Sequence, residues 1–120
     1  MKKIFIEIID ERLRQDEKWG QQDIPCLDEV LLKRKGGCTT QVMTEIYEIP
    51  TENRAKQICD INFKRGSGTF AHIAIEEMCE VVSAFDIHER RKELIQLAAV
   101  CVAWLEKIDR DIEKIQNDSN

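Results

Sequence analysis

Residues 70–85 read FAHIAIEEMCEVVSAF, and residues 91–105 read RKELIQLAAVCVAWL. Each predicts a helix with an apolar face, and each sets carboxylates among the apolar residues. With Phe70 as origin and about 100° per residue, Ala74 falls near 40°, Val81 near 20° and Ala84 near 320°. On the same scale of about 100° per residue, Glu77 falls near 340°, inside that arc, and Glu80 near 280°, at its edge. His72, Glu76 and Ser83 gather at about 200–240° and form a polar face. In the second stretch Glu93 shares its face with Leu97, Val100 and Trp104, and Gln96 follows one turn later. From Leu94 to Leu105 only Gln96 is strongly polar, so this helix is expected at the centre of the fold.

The rest of the chain also reads as helical. Ile6, Ile9 and Leu13 recur at helical spacing between charges over residues 3–18. A strand over Ile4–Ile8 is the alternative, but no second strand follows for it to pair with. Trp19-Gly20 ends this helix, glycine supplying the left-handed terminus. Gln21 to Pro25 is extended or turning, because the residue before proline avoids the helical region. Asp28 to Lys35 predicts a short helix closed by Gly36-Gly37. Thr39 or Thr40 caps a helix to about Glu48, and Pro50-Thr51-Glu52 starts another to about Lys64. Thr69 caps the helix of residues 70–85. The preceding Gly66-Ser67-Gly68 is no P-loop, since it lacks the GK[ST] ending and follows no strand. A connector, Asp86 to Arg90, leads to a last helix from Arg91 to about Gln116, antiparallel to the one before. The expected fold is all-α, an antiparallel helical bundle forming a single domain over 1–120. Its polar tail, 116–120, is expected to be disordered.

Composition agrees. A chain of 120 residues suits one domain, and 5 glycines with 2 prolines are too few for a β-sandwich. Lys+Arg total 18 against 23 Asp+Glu, a net charge of −5. That balance argues against a nucleic-acid polymer as partner, though not against a small anion held through a metal. The 5 cysteines are odd in number and form no CxxC pair. They read as buried reduced thiols of a cytoplasmic protein rather than disulfides or a thiolate zinc site. Glu7, Asp10 and Glu11 interrupt the early apolar run, and nothing approaches the ~20 apolar residues of a membrane span. No membrane partner is expected.

An ionised carboxylate is costly to bury alone. Arg90, Arg91 and Lys92 are the basic residues near Glu77, Glu80 and Glu93, but they lie at the connector, one turn or more away. Mg²⁺ fits better, because it takes hard oxygen ligands and retains waters. Residues three apart share a helix side, so Glu77 with Glu80, and Glu93 with Gln96, each present two oxygens to one point. Two other readings stay open. Glu-x-x-Glu is commonly a solvated face, and the apolar arcs with their glutamates also suit an interface in which a second subunit supplies lysines. A 120-residue chain with so apolar a last helix is in any case expected to be a homodimer or larger.

Glu76-Glu77-x-x-Glu80 followed by Glu93-x-x-Gln96 resembles the EExxE…ExxD signature of the all-α MazG-like nucleoside triphosphate pyrophosphohydrolases. Glu11-Arg12-x-Arg14-Gln15-x-x-Lys18-Trp19-Gly20-x-Gln22 resembles the start of their phage-associated branch. Cys59-Asp60, Gly66-x-Gly68-Thr69 and the run from Glu93 to Glu106 resemble its later blocks. The resemblance implies a helical bundle assembled as a dimer or dimer of dimers. It implies hydrolysis of a (deoxy)nucleoside triphosphate to the monophosphate and pyrophosphate, with Mg²⁺ as cofactor and Mn²⁺ as a substitute. Glu77, Glu80, Glu93 and Gln96 would be the metal ligands, with Glu76 beside them as a fourth carboxylate or the base that positions water. Gln96 stands where the family usually has Asp, which removes one negative charge. Trp19 reads either as a platform that stacks the base or as a packing or helix-end residue, and Lys64, Arg65, Lys107 and Arg110 either meet the phosphates or are plain surface. His72 reads as solvated and His88 has no partner pattern, so a histidine-based hydrolase is not expected. The alternative function is a non-catalytic helical dimer, a degenerate relative binding a nucleotide or a protein partner.

Overall fold

Helix boundaries in this chain are set by short polar capping side chains and a few glycines. The computed structural model describes residues 1–32 and 40–119, without the side chains of Thr40 and Gln41. The helices are α1 (Lys2–Trp19), α2 (Glu29–Leu32), α3 (Thr40–Tyr47), α4 (Glu52–Lys64), α5 (Phe70–Ser83) and α6 (Ile87–Asp118). No strand occurs among the described residues, so the all-helical reading holds and Ile4–Ile8 lies within α1. Among the described residues no helix is long and apolar enough to cross a membrane.

Close packing divides the chain into two units, Met1–Ile24 with Cys101–Asn120 and Pro25–Val100. In the first, α1 ends at Gly20, whose φ is +67° and whose N–H donates to the Asp16 carbonyl at 2.7 Å. That φ is the left-handed conformation for which glycine has no steric penalty. Ile4 and Val102 are buried there. Ion pairs one turn apart, Arg12–Asp16 at 2.7 Å and Lys107–Asp111 at 2.5 Å, line the solvated faces of the two helices.

In the second unit α4 and α5 are the most closely packed pair. They run antiparallel. At one end the Cys79 thiol donates to the Pro50 carbonyl at 3.3 Å and the Ser83 hydroxyl to Glu52 at 2.9 Å. At the other, Gly68 lies against the Phe63 ring. Leu27, Leu31, Met43 and Val82 form a core, with Val42, Ile46 and Ile49 packed on it. The Thr51 hydroxyl caps α4 by accepting from the Arg54 N–H at 3.1 Å.

His72 differs from its sequence reading. It closes a capping box with Thr69, whose hydroxyl accepts from the His72 N–H while Nδ1 of His72 accepts from the Thr69 N–H, both at 3.2 Å. Histidine is an uncommon third residue for this motif, whose usual partners are Glu and Gln. The last helix begins at Ile87 rather than Arg91, because the Asp86 carboxylate accepts from the Glu89 N–H at 2.8 Å and starts the helix there. It also continues through Asp118, so most of the polar tail is helical, and α5 ends at Ser83 rather than Phe85. Of the expected 28–35 helix only Glu29–Leu32 is described; its end at Gly36-Gly37 and a cap at Thr39 lie outside the described residues. The thiols of Cys26, Cys59, Cys79 and Cys101 are all free, but only Cys59 and Cys79 are buried. Cys38 lies outside the described residues.

Gly68→Ala should lower stability by about 1–3 kcal/mol, because the added methyl meets the Phe63 ring. In a double-mutant cycle by urea unfolding, the loss should shrink when Phe63→Ala removes the ring. An equal loss in both backgrounds would mean that this contact is not its cause.

Candidate metal centre

Three carboxylates meet within the second unit. Each of Glu77, Glu80 and Glu93 offers an oxygen such that all three lie within 4.8 Å of one another, and all three side chains are half-buried. Glu77 and Glu80 are one turn apart on α5, and Glu93 comes from the early part of α6. The hairpin explains the meeting. Its corner is Ala84-Phe85-Asp86, and Glu77 and Glu93 stand at equal sequence distance on either side of Phe85. When the chain folds back there, the two positions come level.

Electrostatics at this point are unfavourable for the protein alone. Burial pushes the Glu77 carboxyl above its ordinary range, and the Glu93 charge adds to the effect. Burial pushes Glu80 up to about 7, with further contributions from the charge of Glu77, a hydrogen bond to Glu93 and the charges of Glu93 and Glu76. One oxygen of Glu77 and one of Glu93 are buried and have no hydrogen-bond partner among the described residues. Buried polar atoms are seldom left so, and an acceptor of this kind costs about 1–3 kcal/mol, more when charged. The donor set is all hard oxygen, which suits Mg²⁺ or Mn²⁺ and not a thiophilic metal. The residues therefore fit a divalent cation on their chemistry and on the two orphaned oxygens.

The other expected site residues are placed as follows. Glu76 is half-buried beside Glu77 on α5. Burial pushes the Cys59 thiol of α4 up to about 11, and the nearby Glu76 carboxylate adds to the effect. That proximity was not read from the sequence, because Cys59 and Glu76 share no local motif. Gln96 is on α6 and exposed. Lys64 ends α4 and Arg65 is its C-cap, both exposed.

In the first unit Trp19 is 62% exposed, with the Lys18 ammonium 4.8 Å from its ring centroid. With Glu11, Arg14, Gln15, Lys18 and Gln22 it lines a shallow cavity of about 330 Å³. Arg110 is exposed, and Lys107 is engaged with Asp111.

The chain matches no protein-family model, no curated protein and no solved structure.

The raised carboxyl of Glu80 fixes the sign of a pH effect in metal-free protein. Between about 4.5 and about 7 the folded chain keeps a proton that the unfolded chain has lost. Stability should therefore fall as pH rises through that window and level off above it. Saturating Mg²⁺ should reverse the fall, and Glu80→Gln should reduce it, leaving the part due to Glu77, while weakening the response to Mg²⁺. Thermal melts from pH 5 to 8, with chelator or with Mg²⁺, read all three. Identical melting temperatures with and without Mg²⁺ would dismiss the metal centre.

Proposed function

We propose that the chain is a divalent-metal-dependent pyrophosphohydrolase of the MazG-like kind, splitting a (deoxy)nucleoside triphosphate into monophosphate and pyrophosphate. The observation that carries this reading is the meeting of Glu77, Glu80 and Glu93 with two buried, unpartnered oxygens. The order of the signature along the chain supports it. An acidic pocket repels a triphosphate, and Mg²⁺ on these carboxylates would offset that charge and hold the phosphate oxygens.

The chain's own residues do the rest. Glu77, Glu80 and Glu93 fix the cation, with the Gln96 amide as a neutral fourth donor. Glu76 orients the water that attacks the α-phosphorus and accepts its proton, while the bond to pyrophosphate breaks. Lys64 and Arg65 are the cations of the second unit for the phosphates.

Self-association belongs to the same proposal. Leu94, Ile95, Ile108, Ile112 and Ile115 of α6 are 40% exposed or more, which favours a homodimer or dimer of dimers. The exposure also favours the non-catalytic helical dimer as a second reading.

Pyrophosphate release, measured over the common ribo- and deoxyribonucleoside triphosphates with Mg²⁺, tests the reaction. Glu77→Gln and Glu93→Gln should each lower turnover by at least about 100-fold. Gln96→Asp should tighten Mg²⁺ binding. Absence of turnover in a chain that binds Mg²⁺ would leave the non-catalytic reading. Light scattering at micromolar concentration should give at least a dimer, and a monomer would refute the assembly.

A further inference from the structure

Arg90 is 9% exposed, and among the described residues it is the one charged side chain so deeply buried. Its Nε donates to the Val81 carbonyl at 3.2 Å and its Nη2 to the Ala84 carbonyl at 3.1 Å. Both acceptors lie at the C-terminal end of α5, where the helix dipole is negative; Ala84 is the C-cap, and the Val81 carbonyl also accepts from the Ala84 N–H at 3.4 Å. Arg90 itself belongs to the first turn of α6. The guanidinium therefore clamps the start of one helix to the end of the other with two donors of fixed relative geometry. The Asp86 cap, by contrast, acts within α6 alone, on the Glu89 N–H.

Glu93 follows Arg90 by three residues and lies on the same side of α6. Turning α6 by one residue would swing Glu93 about 100° away from Glu77 and Glu80. Holding Arg90 on α5 sets that rotation. We propose that Arg90 is the positioning residue of the carboxylate site: its two-pronged hold on α5 fixes the station of Glu93 opposite Glu77 and Glu80. The inference rests on the reading that this site takes a divalent cation.

Mn²⁺ binding to the full chain, followed by electron paramagnetic resonance, tests it well below the melting temperature, with circular dichroism reporting the fold. Arg90→Met should weaken Mn²⁺ binding roughly 10–100-fold, as loss of supporting contacts to ligands commonly does. Arg90→Lys should fall between, and Arg91→Met at the exposed neighbour should match wild type. The sign is diagnostic, because removing a positive charge near an acidic site would by Coulomb attraction alone tighten the cation. If Arg90→Met does not fold, Arg90→Lys decides, since it keeps the charge but loses the fork. Folded Arg90 variants that bind Mn²⁺ as tightly as wild type, or more tightly, would overturn the positioning role and leave the metal site standing. Wild-type protein that binds no Mn²⁺ would overturn the metal reading and this inference with it.

Discussion

Glu77, Glu80 and Glu93 are like charges brought within 4.8 Å of one another in a half-buried site. Much of the second unit is arranged to hold them there. α4 packs on α5 and fixes the helix carrying two of them. A three-residue corner turns α6 back to present the third. The Glu93 charge raises the cost of ionising Glu77, and the charges of Glu77 and Glu93 raise that of Glu80. The local fold works against its own electrostatics, which is a common signature of a site prepared for a ligand.

Much of this was legible in the sequence because helical periodicity is a long-range signal. Over fourteen residues the phase of Glu77 relative to Val81 and Ala84 is well determined, so its facing could be assigned without coordinates. The corner was less legible. Asp86-Ile87-His88-Glu89 has the form of a capping sequence, yet Asp86 to Arg90 was read as a connector with the helix starting at Arg91. Arg90 was consequently placed at the end of the connector, with no partner assigned. Its burial depends on the end of α5, nine residues away along the chain, and no pattern within α6 encodes that. His72 shows the same limit: its polar facing was right, but its bond to Thr69 is a property of the side-chain rotamer and ring nitrogen, not of spacing.

Two of the readings left open by the sequence can be separated by where the unsatisfied atoms lie. A solvated face would leave the carboxylate oxygens in water, where partners are abundant. Instead one oxygen on each of Glu77 and Glu93 is buried without a partner among the described residues. An interface supplying lysines would need ammonium groups to reach those oxygens from outside. A lysine brings three donors on a bulky, strongly hydrated head and loses side-chain freedom on insertion. A monatomic dication has neither requirement and can sit among three oxygens that already converge.

The exposed apolar residues of α6 then need not be explained by the glutamates. Leu94 and Ile95 flank Glu93 along the helix and are exposed, whereas Glu93 is half-buried towards α5. The helix thus presents one side to α5 with a carboxylate in it and another, apolar, to the surroundings. A surface suited to a second subunit and a pocket suited to a cation can coexist on one helix because they occupy different angular sectors. Rotation is the variable that would exchange them: turning α6 by about 100° would replace Glu93 on the α5 side by a neighbouring residue. Whatever fixes the rotation of α6 therefore governs the composition of the pocket and of the outer face together, and the two carbonyl bonds of Arg90 are the contacts placed to do so.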